Sequence, residues 1–176
     1  MYKRTIRIFF TWQDNKEAEW LQSMAKDGWH LARYRFGLYT FIQGEPGEYV
    51  YKLDYRNGTD EDIDSYLALF EEAGWEKVER FHGWHYFRKP LTVNEDAPDI
   101  YTDHETEAHK YRLLVNLLIP LFLVTLVLAA TIFQPGVTGH PIYTALKVLY
   151  GFLIALYVIS IVQLKVKINK LTQNHL

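Results

Sequence analysis

Hydrophobic positions along the chain follow three rhythms. Tyr49, Tyr51, Leu53 and Tyr55 alternate with Val50, Lys52, Asp54 and Arg56, the two-residue period of a strand with one buried face. Ile63, Tyr66, Leu67, Phe70 and Ala73 recur at i, i+3, i+4, i+7 and i+10, one stripe of a helix. Leu113 to Phe133 is a run of 21 residues without a charge, and Ile142 to Leu164 carries a single one, Lys147. A helix of 21 residues spans roughly 31 Å, about a bilayer core. Both runs are apolar on all sides, whereas a soluble helix keeps a polar face. They predict a transmembrane hairpin.

These rhythms divide the chain. Residues 1–100 form a head, 101–112 the start of a helix, 113–133 and 142–164 two spans, 134–141 the loop between them, and 165–176 a tail. Lys110 and Arg112 precede the first span, and Lys165, Lys167 and Lys170 follow the second, while the loop has neither Lys nor Arg. Positive charge stays on the cytoplasmic side. Both termini are therefore expected in the cytoplasm and the loop outside. The polar N-terminal residues do not read as a signal peptide, so the first span also has to direct insertion.

The head matches itself. A shift of 46 places Trp20-Leu21 on Tyr66-Leu67, Met24 on Phe70, Gly28-Trp29 on Gly74-Trp75, Gly37 on Gly83 and Phe41 on Phe87. Upstream, a shift of 45 places Ile6, Ile8 and Phe10 on Tyr51, Leu53 and Tyr55. Each copy reads strand, helix, strand, strand. The first helix is expected to start at Asp14 as N-cap with Glu17 at N3, and to stop at Gly28. The second runs from near Asp60 to Gly74. Glu45-Pro46-Gly47 and His82-Gly83 read as turns. The order predicts an α+β fold: a duplicated β-α-β-β unit forming an antiparallel sheet with two helices on one face. Trp29 and Trp75, each just past a helix-ending glycine, are expected in the core.

WLQSMAKDGWHL, YVYKLDYR, YLALFEEAGWE, GWHYFRKP and then IYTD before the first span resemble bacterial proteins of the domain-of-unknown-function family 2812. The resemblance covers residues 1 to about 104. It implies a head followed by hydrophobic segments, a bacterial cell membrane as the location, and genes often beside PadR-type transcription regulators. It carries over no catalytic residue.

Composition narrows the chemistry. The chain has 176 residues, 49% hydrophobic and 23% charged, which is ordinary for a folded protein. The absence of Cys excludes disulfides, thiolate metal sites and Cys nucleophiles. A net charge of −2 gives no argument for a nucleic-acid partner. The three Ser, at 23, 65 and 160, lie in no nucleophile elbow, and no phosphate-binding glycine loop occurs. No cofactor is expected.

Four constellations remain. Lys52, Asp54 and Arg56 share a strand face opposite the tyrosines. If the helices cover the tyrosine face, these charges and His85 line an open sheet face suited to an anionic ligand or a peptide, with Arg33, Arg35 and Arg88 as further members. Solvated charge on such a face is the plainer reading. His30, His82 and His85 are candidates for one pocket. His104, Glu105 and His109 have partial metal-ligand spacing, but Thr102 and Glu105 form a capping box that explains the tract without a metal. Lys147 near the start of the second span reads first as a side chain that snorkels to the outer interface, yet Tyr143, Lys147, Tyr150 and Tyr157 fall on one stripe of that span, a candidate helix–helix seam with Asn116 or Thr125 as partners. Gly151 and Ala155 would permit close approach there.

Together these features favour a membrane-tethered cytoplasmic regulatory or interaction module that is not an enzyme. It would have two integral spans and either a protein partner or a homo-oligomer formed through the spans. The alternatives are a subunit of an oligomeric channel or transporter using the Tyr/Lys stripe, and a membrane-bound enzyme acting at the open sheet face.

Overall fold

A computed structural model describes residues 1–91, 104–134 and 140–173. The chain forms two compact units, Met1–Thr106 and Glu107–Leu176. In the first, β1 (Tyr2–Ile6), a 3-10 turn (Thr11–Gln13), α1 (Asp14–Lys26), β2 (Trp29–Arg35) and β3 (Leu38–Gln43) are followed by β4 (Tyr49–Tyr55), α2 (Asp60–Glu72), β5 (Glu76–Phe81) and β6 (Trp84–Pro90). Each half has the expected order of strand, helix, strand, strand, and the class is α+β.

The six strands build two antiparallel sheets of three, ordered β1-β3-β2 and β4-β6-β5, rather than one sheet of six. The helices also do not share one face. In β4 and β6, Tyr51, Leu53 and Tyr86 look to one side of the second sheet, and Val50 and Phe87 to the other. Both faces carry large apolar groups, so both need cover. The first set joins Leu21, Met24 and Ala25 of α1 and Leu31, Tyr39 and Phe41 of the first sheet in the main core. The second set packs on Tyr66, Leu67 and Phe70 of α2 with Trp75 in a smaller core. The second sheet is thus enclosed between the two helices, and α1 is shared by both sheets.

The strand registers revise one sequence match. Tyr2, Arg4 and Ile6 pair with Ile42, Thr40 and Leu38, while Tyr51, Leu53 and Tyr55 pair with Arg88, Tyr86 and Trp84. Equivalent positions in β1 and β4 are therefore 49 apart (51 − 2), not 45, and Ile8 and Phe10 lie beyond β1. The connection accounts for the difference. Residues 7–13, with the 3-10 turn, link β1 to α1, whereas only residues 56–59 link β4 to α2.

That 3-10 turn also displaces the expected cap of α1. Gln13 is the N-cap residue, and its Oε1 accepts from the Phe10 amide at 3.1 Å. Asp14 is inside the helix, and Glu17 turns into the core. At α2 a true capping box forms instead, with the Thr59 hydroxyl accepting from the Asp62 amide and Asp62 Oδ2 accepting from the Thr59 amide. Both helices stop as expected. Gly28 and Gly74 have φ of +78° and +79°, the left-handed conformation that a side chain disfavours.

The second unit holds α4 (Pro141–Gln173) and all but the first three residues of α3 (His104–Ile132), which contains Pro120. Both are long and apolar enough to cross a membrane. Both are also longer than the uncharged runs, and α4 continues through most of the expected tail. The expected loop at 134–141 lies mostly outside the described residues, as does Thr102 of the expected capping box.

The two tryptophans differ. Trp75 is buried, whereas Trp29 is half-buried with the Lys3 ammonium 5.3 Å from its ring. Trp75→Ala should cost ~3–5 kcal/mol, the range for large aromatic truncations in cores, and Trp29→Ala distinctly less. Chemical denaturation of the full chain in detergent, followed by near-UV circular dichroism, measures both; equal losses would contradict this packing.

Candidate functional site

The face expected to be open is closed. Asp54 is 7% exposed and His85 0%, both beneath α2. The covering group is Tyr66, whose hydroxyl donates to Asp54 Oδ2 at 2.7 Å. Asp54 Oδ1 accepts from the Tyr55 amide at 2.9 Å. Arg56 lays its guanidinium 4.8 Å from the centre of the Tyr66 ring. His85 stands directly opposite Asp54 in the ladder, with its ring 5.5 Å from that of Tyr66. Lys52 is two ladder positions away on the same face, opposite Phe87. Asp54 and His85 therefore lie together beneath Tyr66, while Arg56 stays exposed above the same ring. The physical reason is Val50 and Phe87 on the same face, which need an apolar cover and draw α2 over the charges.

His85 is the costly member of this cluster. Among the described residues neither ring nitrogen has a hydrogen-bond partner. Burial is the main force lowering its pKa to about 4; Arg80 and Lys77 add to that, while Asp54 and a weak contact with the Arg56 backbone act the other way. The ring is held neutral at pH 7.

The three histidines do not share a pocket. His30 Nε2 lies 2.9 Å from the Glu45 carbonyl oxygen, and its Nδ1 3.3 Å from Arg88. Arg88 is on the opposite face of the second sheet from His85 and forms a two-pronged pair with Glu76 at 2.7 and 3.0 Å. His82 is exposed at the β5–β6 turn. Of the remaining arginines, Arg35 pairs with Glu79 at 3.4 Å, and Arg33 is exposed on the first sheet.

One acid central to the head was misread from sequence as a helix cap. Glu17 Oε1 accepts from the Tyr39 hydroxyl at 2.7 Å and from the Tyr86 hydroxyl at 2.9 Å. A single carboxylate oxygen thereby ties α1 to β3 of one sheet and β6 of the other. Burial raises the Glu17 pKa, the two tyrosine hydrogen bonds oppose that rise, and nearby Asp14 adds to it. The signal in the sequence was its place four residues before Leu21 and seven before Met24, on the apolar stripe of α1.

In the helical pair, Lys147, Tyr150 and Tyr157 are partly covered, and Tyr157 meets Phe122 of α3 with ring centres 5.8 Å apart. Tyr143 is exposed. Thr125 donates to the Leu121 carbonyl of its own helix rather than to the stripe, and Asn116 is exposed. Gly151 and Ala155 face outward, so they do not bring α3 and α4 together. The ring of Tyr111 is held between the ammonium groups of Lys110 and Lys167, 4.7 and 4.6 Å from its centre. Of the juxtamembrane tract, His109 is exposed, and the side chains of His104 and Glu105 lie outside the described residues.

Two helically covered antiparallel sheets followed by two long apolar helices define an α+β head joined to a hydrophobic helical pair. The chain belongs to the family described as protein of unknown function DUF2812, whose model matches residues 13–123. That match runs from the start of α1 through about the first two-thirds of α3. No curated protein and no solved structure matches the chain.

The two buried titratable groups respond oppositely to pH. Because the folded pKa of His85 lies below the ordinary 6.5, its contribution to stability is complete above pH 6.5 and drains away as pH falls toward about 4. His85→Phe should remove that acid-side loss and leave the head at least as stable at pH 7, since it buries no unpaired nitrogen. Glu17 has a raised pKa, so its contribution is complete below 4.5 and is lost as pH rises through the folded value. Glu17→Gln keeps an acceptor for both tyrosines and should flatten that loss. Thermal unfolding of each variant between pH 4 and 8 checks both; an unchanged pH profile in either would place the titration elsewhere.

Proposed function

We propose that this chain is a two-span protein of the bacterial cell membrane whose N-terminal head is a cytoplasmic regulatory or interaction module, not an enzyme. The observation that carries the reading is the surface of the helical pair. Leu121, Val124 and Val127 of α3, and Val148, Phe152 and Ile159 of α4, are all exposed. Water would penalise such a surface heavily, whereas hydrocarbon accepts it and the helices satisfy their own backbones. The cationic ends, Lys110, Arg112, Lys165, Lys167 and Lys170, favour a cytoplasmic position for both termini. In the head, Asp54, His85 and Glu17 are enclosed by tyrosines and apolar groups, which suits a structural duty for them. The shared element order and sheet order of the two halves support reading them as a duplicated unit.

A second reading, a subunit of an oligomeric channel or transporter, draws on Gly151 and Ala155, which face outward where a second copy could approach.

Alkaline carbonate extraction of cells making the chain should leave it in the membrane pellet. Protease should digest the head in inverted vesicles and spare it in right-side-out ones. Recovery of intact chain in the supernatant would overturn the reading, and digestion in right-side-out vesicles would reverse the orientation. Cross-linking in membranes that captures only copies of the chain would favour the channel subunit.

A further inference from the structure

We infer that the outer face of the β1-β3-β2 sheet docks on an anionic bilayer surface, an inference that rests on the membrane reading above. This face is the one left bare by the packing. Its cross-strand rows are Tyr2–Ile42–His30, Arg4–Thr40–Arg33 and Ile6–Leu38–Arg35, with no carboxylate among the nine positions. His30 is covered and Arg35 is tied to Glu79, but Arg4 and Arg33 are exposed on either side of Thr40. The charge is local to this part of the head. Residues 1–42 hold 7 Lys and Arg against 4 Asp and Glu, whereas residues 43–101 hold 6 against 14.

One end of the face projects apolar side chains. Ile6 is 79% exposed, Ile8 74% and Phe36 82%. Ile6 pairs with Leu38, and Ile8 lies beside Gly37, where an added Cβ would come within 3.5 Å of its Cγ1. Phe36 is at the tip of the β2–β3 turn with φ of +45°, next to Gly37 at +79°. Two consecutive left-handed residues make the hairpin turn that Asn-Gly fills most readily, and a bulky aromatic is strained there. Its ring meets Phe81 edge-on and His82 at a tilt, yet remains mostly in solvent. A strained, projecting aromatic among aliphatic side chains, with arginines beside it, has the chemistry of an interfacial anchor. The apolar groups enter the acyl boundary and the guanidinium groups meet lipid phosphates.

The same features disfavour other occupants. A second copy laid on this face would set arginines against arginines. A protein partner would have to receive side chains that project from a turn, with Ile6, Ile8 and Phe36 each about three-quarters or more exposed. A head joined by its own chain to spanning helices is also held at high effective concentration near lipid.

The absence of native Cys permits single-site labelling of the full chain. A fluorophore on Ile8→Cys, in nanodiscs containing a spin-labelled quencher lipid, reports contact between this face and the bilayer. A second label on Phe152→Cys, in the middle of the apolar run of α4, reports whether the helices are in lipid. Ile8 quenching should be strong with phosphatidylglycerol present, weak in phosphatidylcholine alone, and reduced by salt. Arg4→Glu with Arg33→Glu should lower the face-bound population roughly tenfold or more. Phe36→Asn should weaken quenching while raising the unfolding temperature, because Asn suits the left-handed position; a merely structural Phe36 would not give that pair of changes. An Ile8 label that stays unquenched, whether open to water or shielded by protein, overturns the inference while a quenched Phe152 label upholds the spans. An unquenched Phe152 label overturns the spanning reading itself, and the Ile8 signal still decides the face.

Discussion

The fold of the head depends on the two-sided character of the β4-β6-β5 sheet. Neighbouring positions on β6, Tyr86 and Phe87, point to opposite sides, and both are buried. The same holds for Val50 and Tyr51 on β4. Such a sheet cannot leave either face in water. One face takes α2 alone. The other takes α1 together with the inner face of the first sheet. Both helices among the described residues of the head, α1 and α2, are used in this enclosure, and neither covers the outer face of the first sheet. The burial of Asp54 and His85 and the bareness of Arg4, Ile6 and Arg33 are two results of one packing constraint.

Enclosure also explains the buried polar groups. Glu17 lies where α1 meets both sheets, and two tyrosine hydroxyls compensate its loss of water. Asp54 gains the same compensation from Tyr66 and a backbone amide. His85 has no such partner among the described residues, and it persists as a neutral ring among Tyr66 and Phe87. Polar atoms in this aromatic core are therefore held mainly by tyrosines, which bring a large apolar ring and a hydroxyl to the same place.

Local features of the chain were legible because their causes are local. Gly28 and Gly74 end helices because of their own backbone freedom, and the alternation around Tyr51 marks a strand through its own two faces. The uncharged runs beginning at Leu113 and Ile142 needed nothing beyond length and polarity. Long-range features were hidden for the corresponding reason. The division into two sheets depends on which strand edges meet, which no periodicity encodes. The match of Ile8 and Phe10 to β4 failed because a 3-10 turn lengthened one connection by three residues. Strand spacing and a hairpin set Asp54 opposite His85, with Lys52 and Arg56 on either side of Asp54 along the chain. The helix laid across them followed from Val50 and Phe87, which share their face. Glu17 was misassigned because a carboxylate near a helix start usually caps it, and the tyrosines that hold it come from distant strands.

Accessibility of the two sheet surfaces tests the enclosure most directly. Val50→Cys and Ile42→Cys each place one thiol in a chain that has no other, the first beneath α2 and the second on the bare face. With the full chain in detergent, a water-soluble maleimide should modify Ile42→Cys at the rate of a free thiol and Val50→Cys only after unfolding. Rapid modification of the folded Val50→Cys protein would show that α2 does not seal the second sheet and would contradict the account.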